Sequence, residues 1–127
     1  MSQPDPTAPF HAHIYYQPEQ REDADMLRRR FEGEPEVLHV GELRDHKVGP
    51  HPIPQFEIHF LAGSLPTLRP ILEEAGFRTL IHPLTMDDLA DHTTLGVWIG
   101  EPVELDVSVL DPPGVNQGMA RFGRTDF

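Results

Sequence analysis

Eight histidines in 127 residues are the first chemical signal in this chain. Imidazole is a common metal ligand and the side chain whose ordinary titration falls nearest neutral pH. His11 and His13 stand two apart in FHAHIYY, and in an extended segment alternate residues share a face, so both rings can reach one ion. The plainer alternative is a pair of half-buried imidazoles hydrogen-bonded across a sheet. His51 lies between Pro50 and Pro52 in GPHP, where the two prolines fix the backbone and aim the ring; the same prolines serve equally to stiffen a turn. His82 closes LIHP and His92 closes DDLADH, at element ends of the kind where site residues collect. Glu57 in FEIHFL is the carboxylate predicted on the same face as His11 and His13. Beside two imidazoles it would complete a facial triad for non-haem Fe(II), and otherwise it is a strand residue facing solvent. His39 and His46 are expected to be structural or solvated, and His59 to face the site or to be an ordinary sheet residue.

The composition narrows the chemistry. There is no cysteine, so a bound metal must be held by imidazole, carboxylate or backbone oxygen. Ten Lys and Arg against 21 Asp and Glu give a net charge of −11, which repels phosphate backbones and anionic bilayers; neither nucleic acid nor a membrane is expected as a partner. No apolar run is long enough to span a bilayer, and MSQPDPTAPF lacks the basic-then-apolar plan of a signal peptide, so a cytoplasmic protein is expected. The nucleophile-elbow, P-loop, dinucleotide-glycine and C-x-x-C patterns are missing.

The elements that must position these residues follow from periodicity. Residues 10–16 alternate as a strand with His11, His13 and Tyr15 on one face and Ala12, Ile14 and Tyr16 on the other. Acids lead and bases follow from Pro18 to Glu32, with Gly33 as a stop, predicting a helix. Strands are predicted at 37–43 and 56–61, the latter with Phe56, Ile58 and Phe60 opposite Glu57, His59 and Leu61. The intervening loop, too long for a tight hairpin, carries Gly49 and three prolines. A second helix runs from Ser64 to Gly76, with Pro70 expected to bend or delay it, and a fourth strand covers 77–81. A short helix at 85–92 is paired with a Thr85–Asp88 capping box. Met26, beside Leu27, is assigned to the core, and Trp98 in the apolar run 95–99 to the core or an interface. The order strand, helix, strand, strand, helix, strand is the split βαβ plan of an α+β, ferredoxin-like sandwich: an antiparallel sheet with both helices on one face. Residues 1–9 are expected as a flexible arm, 10–110 as the domain and 111–127 as an irregular tail. The bare sheet face would gather His11, His13, Glu57 and His59, and such a face suits a ligand or a second copy, so a homodimer is expected.

The phrases FHAHIYY, VGPHPIPQFEI, LIHPLTMDDLADH and VWIG, in this order and at these separations, resemble the DOPA 4,5-dioxygenase family of short aromatic ring-cleaving enzymes. The resemblance covers about residues 10–100. It implies a ferredoxin-like, usually dimeric fold and extradiol opening of a catechol such as L-DOPA, with Fe(II) and dioxygen. Zn or Ni could occupy the same imidazoles. The family's recurring positions correspond to His11, His13, His51, His82, His92 and Trp98. On this basis His11, His13 and His82 are expected as metal ligands, with Glu57 as the possible carboxylate. His51 and His92 are expected as acid–base or substrate-orienting groups. Two features depart from the family. Arg44-Asp45-His46-Lys47-Val48 replaces a His, acid, Lys-Pro sequence and is one residue shorter, and His59 stands where the family often has another residue. The competing expectations are a metal- or small-ligand-binding module without turnover, and a structural dimer whose imidazole-rich face is the subunit interface.

Overall fold

The computed structural model describes residues 5–120 and 122. Five strands form one sheet: β1 (Pro9–Tyr15), β2 (His39–Val40), β3 (Gln55–Leu61), β4 (Thr79–Pro83) and β5 (Val97–Ile99). Their spatial order is β2-β3-β1-β4-β5, and every pairing is antiparallel. This is the predicted α+β, ferredoxin-like arrangement, with β1 and β3 side by side in the middle and β5 extending the edge beyond β4.

Both long helices cover the same sheet face. α1 (Arg21–Glu32) buries Ala24, Leu27 and Phe31, and α2 (Leu65–Ala75) buries Leu68 and Leu72, spacings of three and four that form one helical stripe. They pack on Ala12, Ile14, Phe56, Ile58, Phe60 and Ile81 from the strands. A fully buried aromatic or aliphatic side chain contributes roughly 1.5–3 kcal/mol, so this layer is the main source of stability. α1 has Glu22 and Asp23 in its first turn and Arg29 and Arg30 in its last, matching the helix dipole. α2 passes Pro70 without a break and ends at Gly76, whose φ of +80° is a conformation glycine takes without steric cost.

Several expected elements shift. β2 is only His39–Val40, because past Gly41 the chain rejoins β3 through a single bridge, Arg44 to Gln55. β4 starts at Thr79 rather than 77 and runs through His82, which makes His82 a sheet residue and not an exit residue. The long loop contains a tight turn after all: Val48 and His51 exchange both backbone hydrogen bonds, with Gly49 at φ +53°. The short helix α3 is Asp88–His92, and Asp87 caps it by accepting from the Ala90 amide; the Thr85–Asp88 box does not form, since Thr85 Oγ1 donates to Asp91 instead. Met26 is 66% exposed, on the side of α1 opposite the stripe.

The first and last described segments are tied to the domain. Of the expected arm, Pro6 and Ala8 accept backbone hydrogen bonds from Gly63 and Ala62, and residues 1–4 lie outside the described residues. Residues 111–116 are irregular and lead into the short helix α4 (Gln117–Ala120), and this segment packs over the bare sheet face rather than hanging free. Val115 bridges Asp87, and Asn116 donates to Asp91 and to the Thr85 carbonyl.

Candidate metal centre

On the face the helices leave bare, the register aligns four imidazoles in one row across four strands. His39 pairs with His59, His59 with His11, and His11 with His82. Directly paired residues of an antiparallel sheet project to the same side, so strand pairing alone assembles this row. His13 is the next residue of β1 on that face. The Gly49–Pro50 turn brings in His51, and α3 brings in His92. The rings of His51 and His13 lie 4.0 Å apart by centroid, those of His82 and His92 4.3 Å.

All six predicted site residues, His11, His13, His51, Glu57, His82 and His92, line one cleft of about 540 Å³. Two three-imidazole sets offer nitrogens within 4.8 Å of one another, His11–His13–His82 and His13–His51–His92. Glu57 belongs to a third set, with His11 and His59.

The outer nitrogens of these rings are already committed. His82 Nδ1 lies 2.8 Å from the Pro83 carbonyl, and His92 Nδ1 2.8 Å from the Asp88 carbonyl. His11 Nδ1 is 3.3 Å from Glu57 Oε2, and His13 Nδ1 is 3.1 Å from Gln55 Oε1. Carbonyl and carboxylate oxygens only accept, so each of these Nδ1 atoms carries a proton, and in the neutral ring the lone pair is then left on Nε2. A ring nitrogen donated to an oxygen while the other turns to a common point is the arrangement that orients metal-binding histidine.

The inner nitrogens are unsatisfied in a way that suits a cation. His13 Nε2 and His82 Nε2 approach to 2.9 Å, and His11 Nε2 is buried with no hydrogen-bond partner. With both Nδ1 atoms protonated, two lone pairs face each other across that gap. Metal–nitrogen bonds of about 2.1 Å at right angles place two nitrogens about 3 Å apart, close to the observed spacing. The donor set therefore fits a borderline metal ion.

The electrostatics keep the rings ligand-ready. Burial, reinforced by neighbouring imidazoles, holds His11, His13 and His82 well below the usual histidine range and takes His51 down to about 3. All four are neutral at pH 7. Burial pulls the Glu57 carboxyl upward, but the hydrogen bond from His59 and the nearby His13, His59 and His39 outweigh it, leaving Glu57 ionised. Glu57 Oε2 touches His11 Nδ1 and His59 Nε2, which places it behind His11. His59 is fully buried and stacks on His11 at 4.0 Å.

Sequence reasoning missed the residues that hold these imidazoles in place. Gln55 shares the strand parity of Glu57 and His59, and that signal could have found it. Tyr15 was placed on the correct face, yet its hydroxyl contact of 2.7 Å with His51 Nδ1 depends on the turn at Gly49. Trp98 stacks on Tyr15 with centroids 5.7 Å apart, and with Leu80 and Val103 it forms a second apolar cluster beneath that pair. Leu110, Asp111 and residues 116–118 complete the cleft wall, and the Phe122 ring stacks at 5.4 Å on His59.

Known proteins match this chain in sequence and in fold. The Dopa 4,5-dioxygenase family model matches residues 10–109. A crystal structure of a protein from Nostoc punctiforme, described as a "putative dioxygenase", superposes with a TM-score of 0.76 at 30% identity, over 84% of this chain and 96% of that one. An uncharacterised 21.2 kDa protein of Botryotinia fuckeliana is 28% identical over 116 residues, and the DOPA 4,5-dioxygenase of Amanita muscaria is 25% identical over 111 residues. Each match takes in 80% of this chain but only 62% and 49% of those two proteins, so the chain spans about half to three-fifths of the curated relatives' length. With a match over most of its length and a shared fold at 30% identity, the chain belongs to the DOPA 4,5-dioxygenase family.

Proposed function

We propose that this protein opens the ring of a catechol in the extradiol manner, with Fe(II) held by His11, His13 and His82. The observation that carries the reading is the convergence of three buried, neutral imidazoles whose outer nitrogens are tied to oxygen acceptors. Bound there, Fe(II) would supply a single centre at which the two catechol oxygens and dioxygen can meet. In this reading Glu57 is the carboxylate that orients His11, and a three-histidine set suffices for the metal. His51 and His92 handle the substrate's protons from opposite polarities. His92 donates a hydrogen bond from Nδ1–H to the Asp88 carbonyl, so its Nε2 accepts a proton from a catechol hydroxyl. Burial raises the Tyr15 phenol, which keeps it protonated and able to donate to His51 Nδ1; His51 Nε2–H then faces the cleft as a donor to substrate oxygen. The walls formed by Leu84, Val109 and Leu110 shelter these exchanges from water. The same reading makes the chain a cytoplasmic homodimer, and light scattering at the monomer mass of 14.4 kDa would remove the dimer.

Anaerobic loading with Fe(II), followed by L-DOPA and air, should give oxygen uptake and a yellow ring-opened product. Iron bound at one equivalent with no oxygen uptake across a catechol panel would leave a metal-binding module and refute the enzyme.

A further inference from the structure

Residues 111–118 lie across the imidazole face, and polar contacts hold them there. Asn116 is buried, and its Nδ2 donates to the Thr85 carbonyl at 2.6 Å and to Asp91 Oδ2 at 3.0 Å. Nearby, the Asp111 amide donates to Asp88 Oδ2 and the Gly114 amide to the Met86 carbonyl. Apolar packing adds little. Val115 is 45% exposed, Met119 just beyond is 39% exposed, and the apolar clusters of the described residues include nothing from this segment. A segment anchored in this way detaches at a smaller free energy than unfolding of the domain, whose buried layer lies elsewhere. The fixed side of the anchor is Asp91, which is fully buried and also accepts from the Thr85 amide and hydroxyl. It therefore stays in place when the segment leaves.

Beneath the segment lies the edge of His11 that bears Nε2. Asn116 Oδ1 accepts from the Gly118 amide at 2.9 Å, so the anchoring residue also fixes Gly118. A Cβ at Gly118 would stand 3.0 Å from Asn116 Oδ1, 3.3 Å from Leu84 Cδ2 and 4.0 Å from His11 Cε1. Glycine lets the backbone settle this close. Cε1 adjoins Nε2, which is buried with no hydrogen-bond partner, and the Phe122 ring stacks on His11 at 6.1 Å. A buried Nε2 meets an incoming ion only after its cover moves. We infer that residues 111–118 are a latched cover: the bonds from Asn116 to Asp91 and Thr85 hold it closed, and their breaking opens His11 to metal or ligand. This goes beyond the catechol reading and holds equally for a protein that only binds metal.

The test treats the full metal-free chain at neutral pH with diethyl pyrocarbonate, which acylates an unprotonated imidazole nitrogen, and reads the rate at each histidine by fragment mass spectrometry. His46, which is exposed, serves as the internal reference. In the wild type His11 should react at least about 10-fold more slowly than His46. Asn116→Ala removes both latch bonds and should raise the His11 rate about 10-fold while leaving His46 unchanged. Gly118→Val, whose side chain wedges the cover away from Leu84 and His11, should raise it likewise. Amide hydrogen exchange should accelerate in residues 111–118 and not in β1 or β3. Urea unfolding establishes that each variant is folded, and should Asn116→Ala not fold, Gly118→Val carries the test alone. A wild-type His11 as reactive as His46, or a His11 rate that the variant leaves unchanged within about twofold, overturns the cover. Exchange accelerated equally in β1 and β3 also overturns it, because the opening is then global.

Discussion

The two faces of the sheet are written by the same strands and do opposite work. On the covered face Ala12, Ile14, Phe56, Ile58 and Phe60 are fully buried among helix side chains and have no polar atom to satisfy. On the bare face, of the residues between them, His11, His13 and His59 are nearly as buried and Glu57 is partly exposed, and all keep polar atoms that need partners. Period two lets one strand contribute to stability and to chemistry without compromise, because a change on one face leaves the other's packing in place. The comparison also separates two kinds of buried group. Those on the helix side lower the free energy of folding by being buried, whereas those on the bare side raise it unless hydrogen bonds or a cation compensate.

The sharpest way to break that division is to empty one face and measure the other. Phe60→Ala should cost about 3–5 kcal/mol in urea unfolding, since it removes a fully buried ring from the covered face. Metal affinity of the folded fraction should stay within about twofold, and a parallel loss of metal would show that the faces are coupled. His13→Ala should do the reverse. It removes the ring common to both imidazole sets, and competition with a chelator should show metal affinity falling by more than about 100-fold, beyond the range of a mere orienting partner. Glu57→Gln should be milder, about 10–100-fold, because it removes the carboxylate charge behind His11 and leaves the imidazole itself. A loss as large as that of His13→Ala would make Glu57 a direct ligand.

The smallest effect per group is that of pH. His11, His13, His51 and His82 are neutral in the folded metal-free protein and protonate near pH 6.5 when unfolded. Below 6.5 the unfolded chain therefore binds more protons than the native one. Stability is present in full above that pH and is lost as pH falls, for His51 down toward its folded value of about 3. Each ring contributes a slope of up to about 1.4 kcal/mol per pH unit. Melts from about pH 8 to about pH 5 should show this decline, and a flat profile would mean that the bare face is not buried as drawn.

Sequence alone determined the alternation of both central strands, the charge order of α1 and the stop at Gly76. It also determined the residue types that could hold a metal without cysteine. Each follows from local periodicity or local backbone conformation, and neither depends on distant contacts. It misplaced Met26, since an apolar residue one step off a helical stripe points outward whatever its hydrophobicity. The start of β4, the capping of α3 and the shortness of β2 depended on cross-strand pairing and on the partner chosen by Thr85.

Tertiary structure decided which nitrogens meet. The row His39–His59–His11–His82 exists because three strand pairings share one register, and register is a relation between segments that no single segment encodes. Tertiary structure likewise set Arg44 opposite Gln55, and Tyr15 against His51. It also folded residues 111–118 back over the imidazoles, where an irregular, Gly- and Pro-rich sequence has no periodicity to announce a wall.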